Sequence, residues 1–228
     1  MIKSQNKDIW YFLIPYLLFF LLLLYGVLRY PKADLHLMMN FNHTSVGDWF
    51  FRVWTEFGGG WVPFVLIGLL LFYRYSIGTY LLSAQLLGGI ISFIGKRIFN
   101  EPRPLTYFHE NFPDVVLSTV QGVDLYRFHS FPSGHTITGF ALFFGLALLV
   151  KNKWLKLLFF IMAALVGYSR VYLSQHFAID ILVGSAIGII CAWMLYPFYL
   201  KLDNKWGRRS LSEFFQKKST KELADNQK

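Results

Sequence analysis

Residues 131–150 read FPSGHTITGFALFFGLALLV. A polar opening, Ser133, Gly134 and His135, runs directly into an apolar stretch with no charged side chain before Lys151. A bilayer's hydrocarbon core is crossed by about 20 apolar residues in helical form. Lipid offers no partners for backbone N–H and C=O groups, so a crossing segment has to be a helix. Residues 133–150 are therefore expected to span a membrane, with the polar group at one surface.

Similar runs flank this one on both sides. The 228-residue chain is 55% hydrophobic and 19% aromatic but only 15% charged, too apolar for an ordinary soluble domain. Spans are expected at 10–28, 61–73, 76–95, 133–150, 154–168 and 177–200. The first holds Pro15 near its start, with Trp10, Tyr11 and Tyr30 as interfacial aromatics, and reads as a retained anchor because no small-residue cleavage site follows in 29–35. The second reaches crossing length only if its helix begins near Thr55. Gly88 and Gly89 in the third suit close helix packing. Residues 31–55 read as an amphipathic surface helix with Trp49, Phe50, Phe51 and Trp54 toward lipid. The polar loop 96–131 is long enough to carry function. The expected architecture is an all-α integral membrane bundle of six transmembrane helices over 1–200, with a short amphipathic helix and an outer loop, followed by a basic cytoplasmic tail over 201–228.

The formal charge of +9 follows from where the cations lie. Six spans put both ends on one side. That side would carry Lys3, Lys7, Arg74, Lys151, Lys153, Lys156 and the eight Lys and Arg of the tail, fourteen of the 22 in the chain. Positive charge collects on the cytoplasmic side, so the tail is expected inside and the loops after spans one, three and five outside. The basic balance reads as topology and not as nucleic-acid binding. Cys191 is the one cysteine, excludes an internal disulfide and reads as a small core residue.

Three polar clusters fall on the expected outer side. Lys96, Arg103 and Pro104 close the third span and enter the loop; alone, such cations serve equally as interfacial anchors. Pro132, Ser133, Gly134 and His135 open the fourth span. Ser133 suits an N-cap, the first-turn amides point outward, and Gly134 lets an oxyanion approach, although an ordinary helix start has the same features. Ser169, Arg170, His176 and Asp180 join spans five and six. His176 and Asp180 are four apart, on one face if helical, so the carboxylate can hold one ring nitrogen and leave the other toward a site. An ionisable group within a span is a functional candidate by default.

Taken together the clusters resemble the type 2 phosphatidic acid phosphatase family, whose fold is shared with vanadium haloperoxidases. The family pattern is Lys, six residues, Arg-Pro; then Pro-Ser-Gly-His; then Ser-Arg, five residues, His, three residues, Asp, and all eleven specified positions match in order. The resemblance implies catalytic roles for His176 as nucleophile, Asp180 as its orienter and His135 as general acid. It implies phosphate binding by Lys96, Arg103, Ser133, Gly134 and Arg170, with no metal and no cofactor. The implied activity is hydrolysis of a lipid phosphomonoester or diphosphate through a phosphohistidine, at the outer face of the cytoplasmic (inner) membrane. An outward site favours undecaprenyl diphosphate or lipid A as substrate; phosphatidylglycerol phosphate and phosphatidic acid are alternatives, as is a non-catalytic lipid transporter or scaffold. The partners implied are the lipid phosphate and the membrane. His36, His43, His109 and His129 read as surface or interfacial groups, and Arg97 and Arg127 as possible contacts to a second phosphate or sugar, or in the case of Arg97 as a membrane anchor.

Overall fold

The computed structural model describes residues 8–41, 43–205 and 209–210. Lys3, Lys7 and all of the expected tail beyond Lys205 except Arg209 and Ser210 lie outside the described residues. Nine α-helices follow in order among the described residues: α1 (Trp10–Arg29), α2 (Lys32–Met39), α3 (Ser45–Trp54), α4 (Trp61–Tyr73), α5 (Tyr75–Phe99), α6 (Pro104–Asn111), α7 (Gly134–Leu149), α8 (Lys153–Tyr172) and α9 (Ala178–Lys205). A 3₁₀ turn, Thr55–Phe57, joins α3 to α4. The described residues contain no strand.

The chain is a multi-pass, all-helical membrane bundle, as its composition requires. Four helices, α1, α5, α8 and α9, are long and apolar enough to cross a bilayer. The α3 and α4 segments reach that length only as a pair bent by 47°. Helix α7 has 16 residues, or roughly 24 Å at 1.5 Å per residue, short of the ~30 Å hydrocarbon core. Six crossings are thus not all evident from helix length.

The shortness of α7 goes with its position. Phe140, Ala141, Leu142, Phe143 and Phe144 are consecutive and all buried, so this helix is apolar all round and occupies the bundle's core, enclosed by α5, α8 and α9. Small residues admit that closeness. A Cβ at Gly188 of α9 would lie 2.5 Å from the Ile137 carbonyl oxygen, so only glycine lets the two backbones meet. Gly88 packs against Ile137 as expected, whereas the space around Gly89 is open. Cys191 is a buried free thiol.

Residues 31–55 form two helices, α2 and α3, where one was expected. Trp49 does face outward, but Phe51 packs on Tyr168 and Tyr172, and Trp54 against Phe57 and the core. The reason is that α3 lies on α8, which takes up Phe51 while Val46, Trp49 and Val53 stay exposed. The elbow between α2 and α3 is latched to the end of α8: Asn40 Nδ2 donates to the carbonyls of Val171 (3.0 Å) and Tyr172 (2.7 Å), satisfying acceptors that a helix C-terminus leaves open. Lys156, expected among the inner cations, is fully buried and donates to the Ala147 carbonyl at the end of α7.

His36 departs from the surface role expected of it. It is 1% exposed, boxed by the rings of Phe108 and Phe177, and neither ring nitrogen has a hydrogen-bond partner. Burial pushes its pKa down from 6.5 to about 4, the Asp180 charge opposing. The unfolded chain takes up this proton near 6.5 and the folded one only near 4, so the contribution is intact above 6.5 and is lost as the pH falls toward 4. At pH 5 the loss is about 2 kcal/mol. Thermal unfolding in detergent at pH 7 and pH 5 should show a smaller acid-induced drop for His36→Leu than for the parent; equal drops would contradict it.

Candidate active site

Five helices deliver polar groups to one end of the bundle. Lys96 stands in the last turn of α5, Arg103 just before α6, His135 in the first turn of α7 and Arg170 in the last turn of α8. Asp180 lies in the first turn of α9. Lys96, Arg103, His135, Arg170 and His176 share a cleft of about 430 Å³, a size that admits an organic ligand.

His176 is not helical, unlike the geometry anticipated for it. It precedes α9 in the turn 173–177, whose amides at Gln175 and His176 donate back to the Arg170 carbonyl. The contact with Asp180 survives because the carboxylate caps its own helix. Asp180 Oδ2 accepts from the Phe177 amide at 3.0 Å, from Ser130 Oγ at 2.5 Å and from His176 Nδ1 at 3.2 Å. Donating to the carboxylate fixes the proton on Nδ1 and leaves Nε2 for the cleft. Both residues are 1% exposed. Burial, then the charges of Arg103, Arg170 and Lys96, hold His176 well below the ordinary imidazole value, so the ring is neutral and Nε2 keeps its lone pair.

Each arginine is anchored by groups the motifs do not name. Arg103 Nη1 donates to Gln175 Oε1 (2.7 Å) and the Gln175 carbonyl (3.3 Å), its Nε donates to the Phe128 carbonyl (3.1 Å), and its guanidinium lies over Tyr126. Burial lowers its pKa, with Asp180 opposing. Arg170 Nη1 donates to Thr55 Oγ1 at 2.6 Å, while its Nε has no protein partner. Gln175 is held in turn by the Asp124 carbonyl, and Ser174, at φ 51°, donates from its hydroxyl to the Ser118 carbonyl. The irregular stretch 112–133 thereby fastens the turn that carries His176.

The start of α7 behaves as its sequence suggests. Ser133 is the N-cap and its Oγ accepts from the Thr136 amide and hydroxyl. Ser133 is fully buried and is not a wall of the cleft. A Cβ on Gly134 would sit 3.1 Å from Ser92 Oγ and 3.7 Å from Lys96 Nζ, so glycine keeps the lysine close to the helix start. Gly58 matters likewise: its Cβ would be 2.5 Å from the His135 carbonyl oxygen.

The structure thus brings Lys96, Arg103, His135, Arg170 and His176 to one cleft with Asp180 behind His176, leaves Ser133 and Ser169 buried outside it, and adds Ser130, Gln175, Tyr126 and Thr55. Ser130 and Gln175 adjoin motifs in sequence, which is a usable signal. Thr55 is 115 residues from Arg170 and carries none. Of the lesser candidates, His43 stacks on Tyr172 and pairs with Asp48, His109 is exposed, and His129 and Arg97 line the cleft.

Three cations and two histidines, one of them held by a buried carboxylate, stand together at the end of an apolar helix bundle, an arrangement whose charge favours an oxyanion. The chain belongs to the PAP2 superfamily, whose family model matches residues 77–203. It is 34% identical over 134 residues to a lipid A 4'-phosphatase of Porphyromonas gingivalis, covering 58% of this chain and 54% of that protein, so the chain spans about half the relative's length. It is 26% identical over 162 residues to an undecaprenyl-diphosphatase of Sulfolobus acidocaldarius, covering 69% and 73%. The crystal structure of Aquifex aeolicus LpxE superposes with a TM-score of 0.60 at 28% identity, over 75% of this chain and 98% of that one.

The Thr55 contact yields a direct test. Thr55→Val keeps the side chain's shape and removes the acceptor from Arg170. It should leave the protein folded and lower kcat/KM for phosphate release on the order of tenfold, and unchanged kinetics would show that the hydroxyl does not position Arg170.

Proposed function

We propose that the protein is a lipid phosphatase of the cell envelope, hydrolysing a lipid phosphomonoester or diphosphate in two steps. The observation that carries this reading is the neutral His176, its Nδ1 held by Asp180, set among Lys96, Arg103 and Arg170 in one cleft. In the first step His176 Nε2 attacks phosphorus while the bond to the lipid oxygen breaks, and His135 gives that oxygen its proton. Asp180 supports the charge that the imidazole gains. In the second step water attacks the phosphohistidine, passes a proton to His135, and phosphate leaves. Lys96, Arg103 and Arg170, with the Gly134 amide, hold the phosphoryl oxygens and offset their developing charge, while Ser133, buried behind the cleft, holds the start of α7 through Thr136. Three fixed cations supply what a metal supplies at many phosphoryl-transfer sites, so the reaction is metal-independent.

The relatives support a lipid of the envelope, with undecaprenyl diphosphate and lipid A ahead of phosphatidylglycerol phosphate and phosphatidic acid. A scaffold or transporter on the same bundle would have no use for a tautomer-fixed histidine facing a second histidine across a cleft. The setting is the cytoplasmic membrane with the site outward. On this reading α1, the bent α3–α4 pair, α5, α7, α8 and α9 are six crossings, 1–200 is the catalytic domain, and 201–228 is a basic cytoplasmic tail. Two contacts support the common inner end: Arg74, between α4 and α5, pairs with Asp203 near the end of α9 at 2.7 Å, and Tyr11 of α1 packs on Trp154 of α8.

Replacement of His176 by Ala should abolish phosphate release from lipid phosphates without loss of the folded membrane protein; near-parental release would refute the nucleophile. Activity should persist in EDTA and be blocked by vanadate, which adopts the five-coordinate geometry of phosphorus under attack; loss on chelation, restored by magnesium, would refute a metal-free mechanism. Reporter fusions should be cytoplasmic at Lys205 and external near Asp114, and either one on the opposite side would overturn the topology.

A further inference from the structure

The cleft extends beyond the groups that hold one phosphoryl unit. Its outer wall adds Arg97, His129 and three rings, those of Phe93, Tyr126 and Phe128. Arg97 follows Lys96 on α5, yet its guanidinium folds over the Phe93 ring, 5.3 Å from the centroid, and forms no ion pair among the described residues. A span-end arginine serving only as an anchor has no reason to lie along the rim of a site.

His129 is held more firmly. Its backbone is left-handed, with φ 62°, a conformation uncommon for a residue with a side chain and one that clusters at functional sites. Its neighbours both serve the inner cradle, Phe128 through its carbonyl to Arg103 and Ser130 through its hydroxyl to Asp180. The ring Nδ1 lies 3.0 Å from the Lys96 carbonyl oxygen. A carbonyl only accepts, so Nδ1 carries the proton, and Nε2 is left with no hydrogen-bond partner among the described residues.

We propose that Arg97 and His129 form a second phosphate subsite, which takes the lipid-linked phosphate of a lipid diphosphate while the terminal phosphate occupies the inner cradle. The inference rests on the phosphatase reading and selects within it. His176 Nε2 bonds to the terminal phosphorus, and the bond from that phosphorus to the bridging oxygen breaks. The bridging oxygen leaves with the electron pair as part of the lipid monophosphate and takes the His135 proton. Arg97 and His129 neutralise the charge that stays on this leaving phosphate, an interaction that a lipid monophosphate, with its single phosphoryl group in the inner cradle, does not use.

The test compares a polyprenyl diphosphate with the monophosphate of the same chain, using purified protein and its Arg97→Gln and His129→Asn variants. Asparagine tolerates the left-handed backbone and can still donate to the Lys96 carbonyl, so it removes Nε2 while keeping the loop anchored. Each variant should lose about tenfold or more in kcat/KM on the diphosphate and less than about threefold on the monophosphate, a charge-assisted contact being worth at least that ratio. Equal losses on both substrates, or none, would overturn the subsite. Should a variant fail to fold, the parent decides: a polyprenyl methylenediphosphonate should inhibit monophosphate hydrolysis about tenfold more tightly than the matching phosphonate, and equal potency would overturn the proposal. A parent that turns over the monophosphate but not the diphosphate refutes the subsite alone, whereas one that releases phosphate from neither refutes the phosphatase reading with it.

Discussion

Three cations and one carboxylate share a small space where an apolar bundle ends. Lys96, Arg103 and Arg170 repel one another, and Asp180 is the single anion among the motif residues. Removing such charges from water costs several kcal/mol each unless they are hydrogen-bonded, and a cluster with an excess of cations stays assembled only if the protein fixes each one. The surrounding structure is organised around that requirement. Arg103 is held by Gln175 and the Phe128 carbonyl, Arg170 by Thr55, and Asp180 by Ser130 and its own helix start. What remains uncompensated is positive charge facing a cleft, and a phosphoryl group is the complement to it.

The same requirement explains the outer segments. Helices alone could bring Lys96, His135, Arg170 and Asp180 to one end, since α5 and α8 run toward it and α7 and α9 away. They could not supply the neutral acceptors that keep the cations in place. Those come from the bend between α3 and α4 and from the stretch before α7, which also ties down the turn bearing His176 through Ser118 and Asp124. Helix α2 completes the enclosure: Lys32 lies 4.2 Å from the Phe177 ring centroid and pairs with Glu101, while His36 fills the space behind Phe177. A buried histidine without partners is an unfavourable choice for a wall, and its contact with Phe177, the residue after His176, ties acid sensitivity of the fold to the site.

The core of the bundle sets the precision of the arrangement. Helix α7 is enclosed by α5, α8 and α9, with Gly188 letting the α9 backbone meet that of α7 and Gly139 and Gly145 leaving room for the Val166 and Leu81 side chains. Two bulky aliphatic faces would separate these helices further, and the first turn of α7, with Ser133, Gly134 and His135, would withdraw from Lys96 and from Asp180. Close packing in the middle of the membrane is thus what allows polar groups from four helices to meet at its edge.

Much of this was legible in the chain. Apolar runs of near-crossing length dictate helices because lipid cannot satisfy a backbone, and the spacing of Lys96, Arg103, Ser133 to His135, Arg170, His176 and Asp180 picked out every motif residue that the fold assembles. Local chemistry also fixed the cap at Ser133. The sequence could not show that residues 31–55 fold as two helices against α8, because an amphipathic stripe looks the same whether lipid or protein covers it. Nor could it show that His36 is buried, that His176 precedes its helix, or that Thr55 holds Arg170. Those facts depend on which surfaces meet across a hundred residues or more of chain, and a hydrogen bond between distant segments leaves no periodicity in either. Residue type and spacing determined the chemistry available to this protein; only the packing of helices at close range decided which groups face one another.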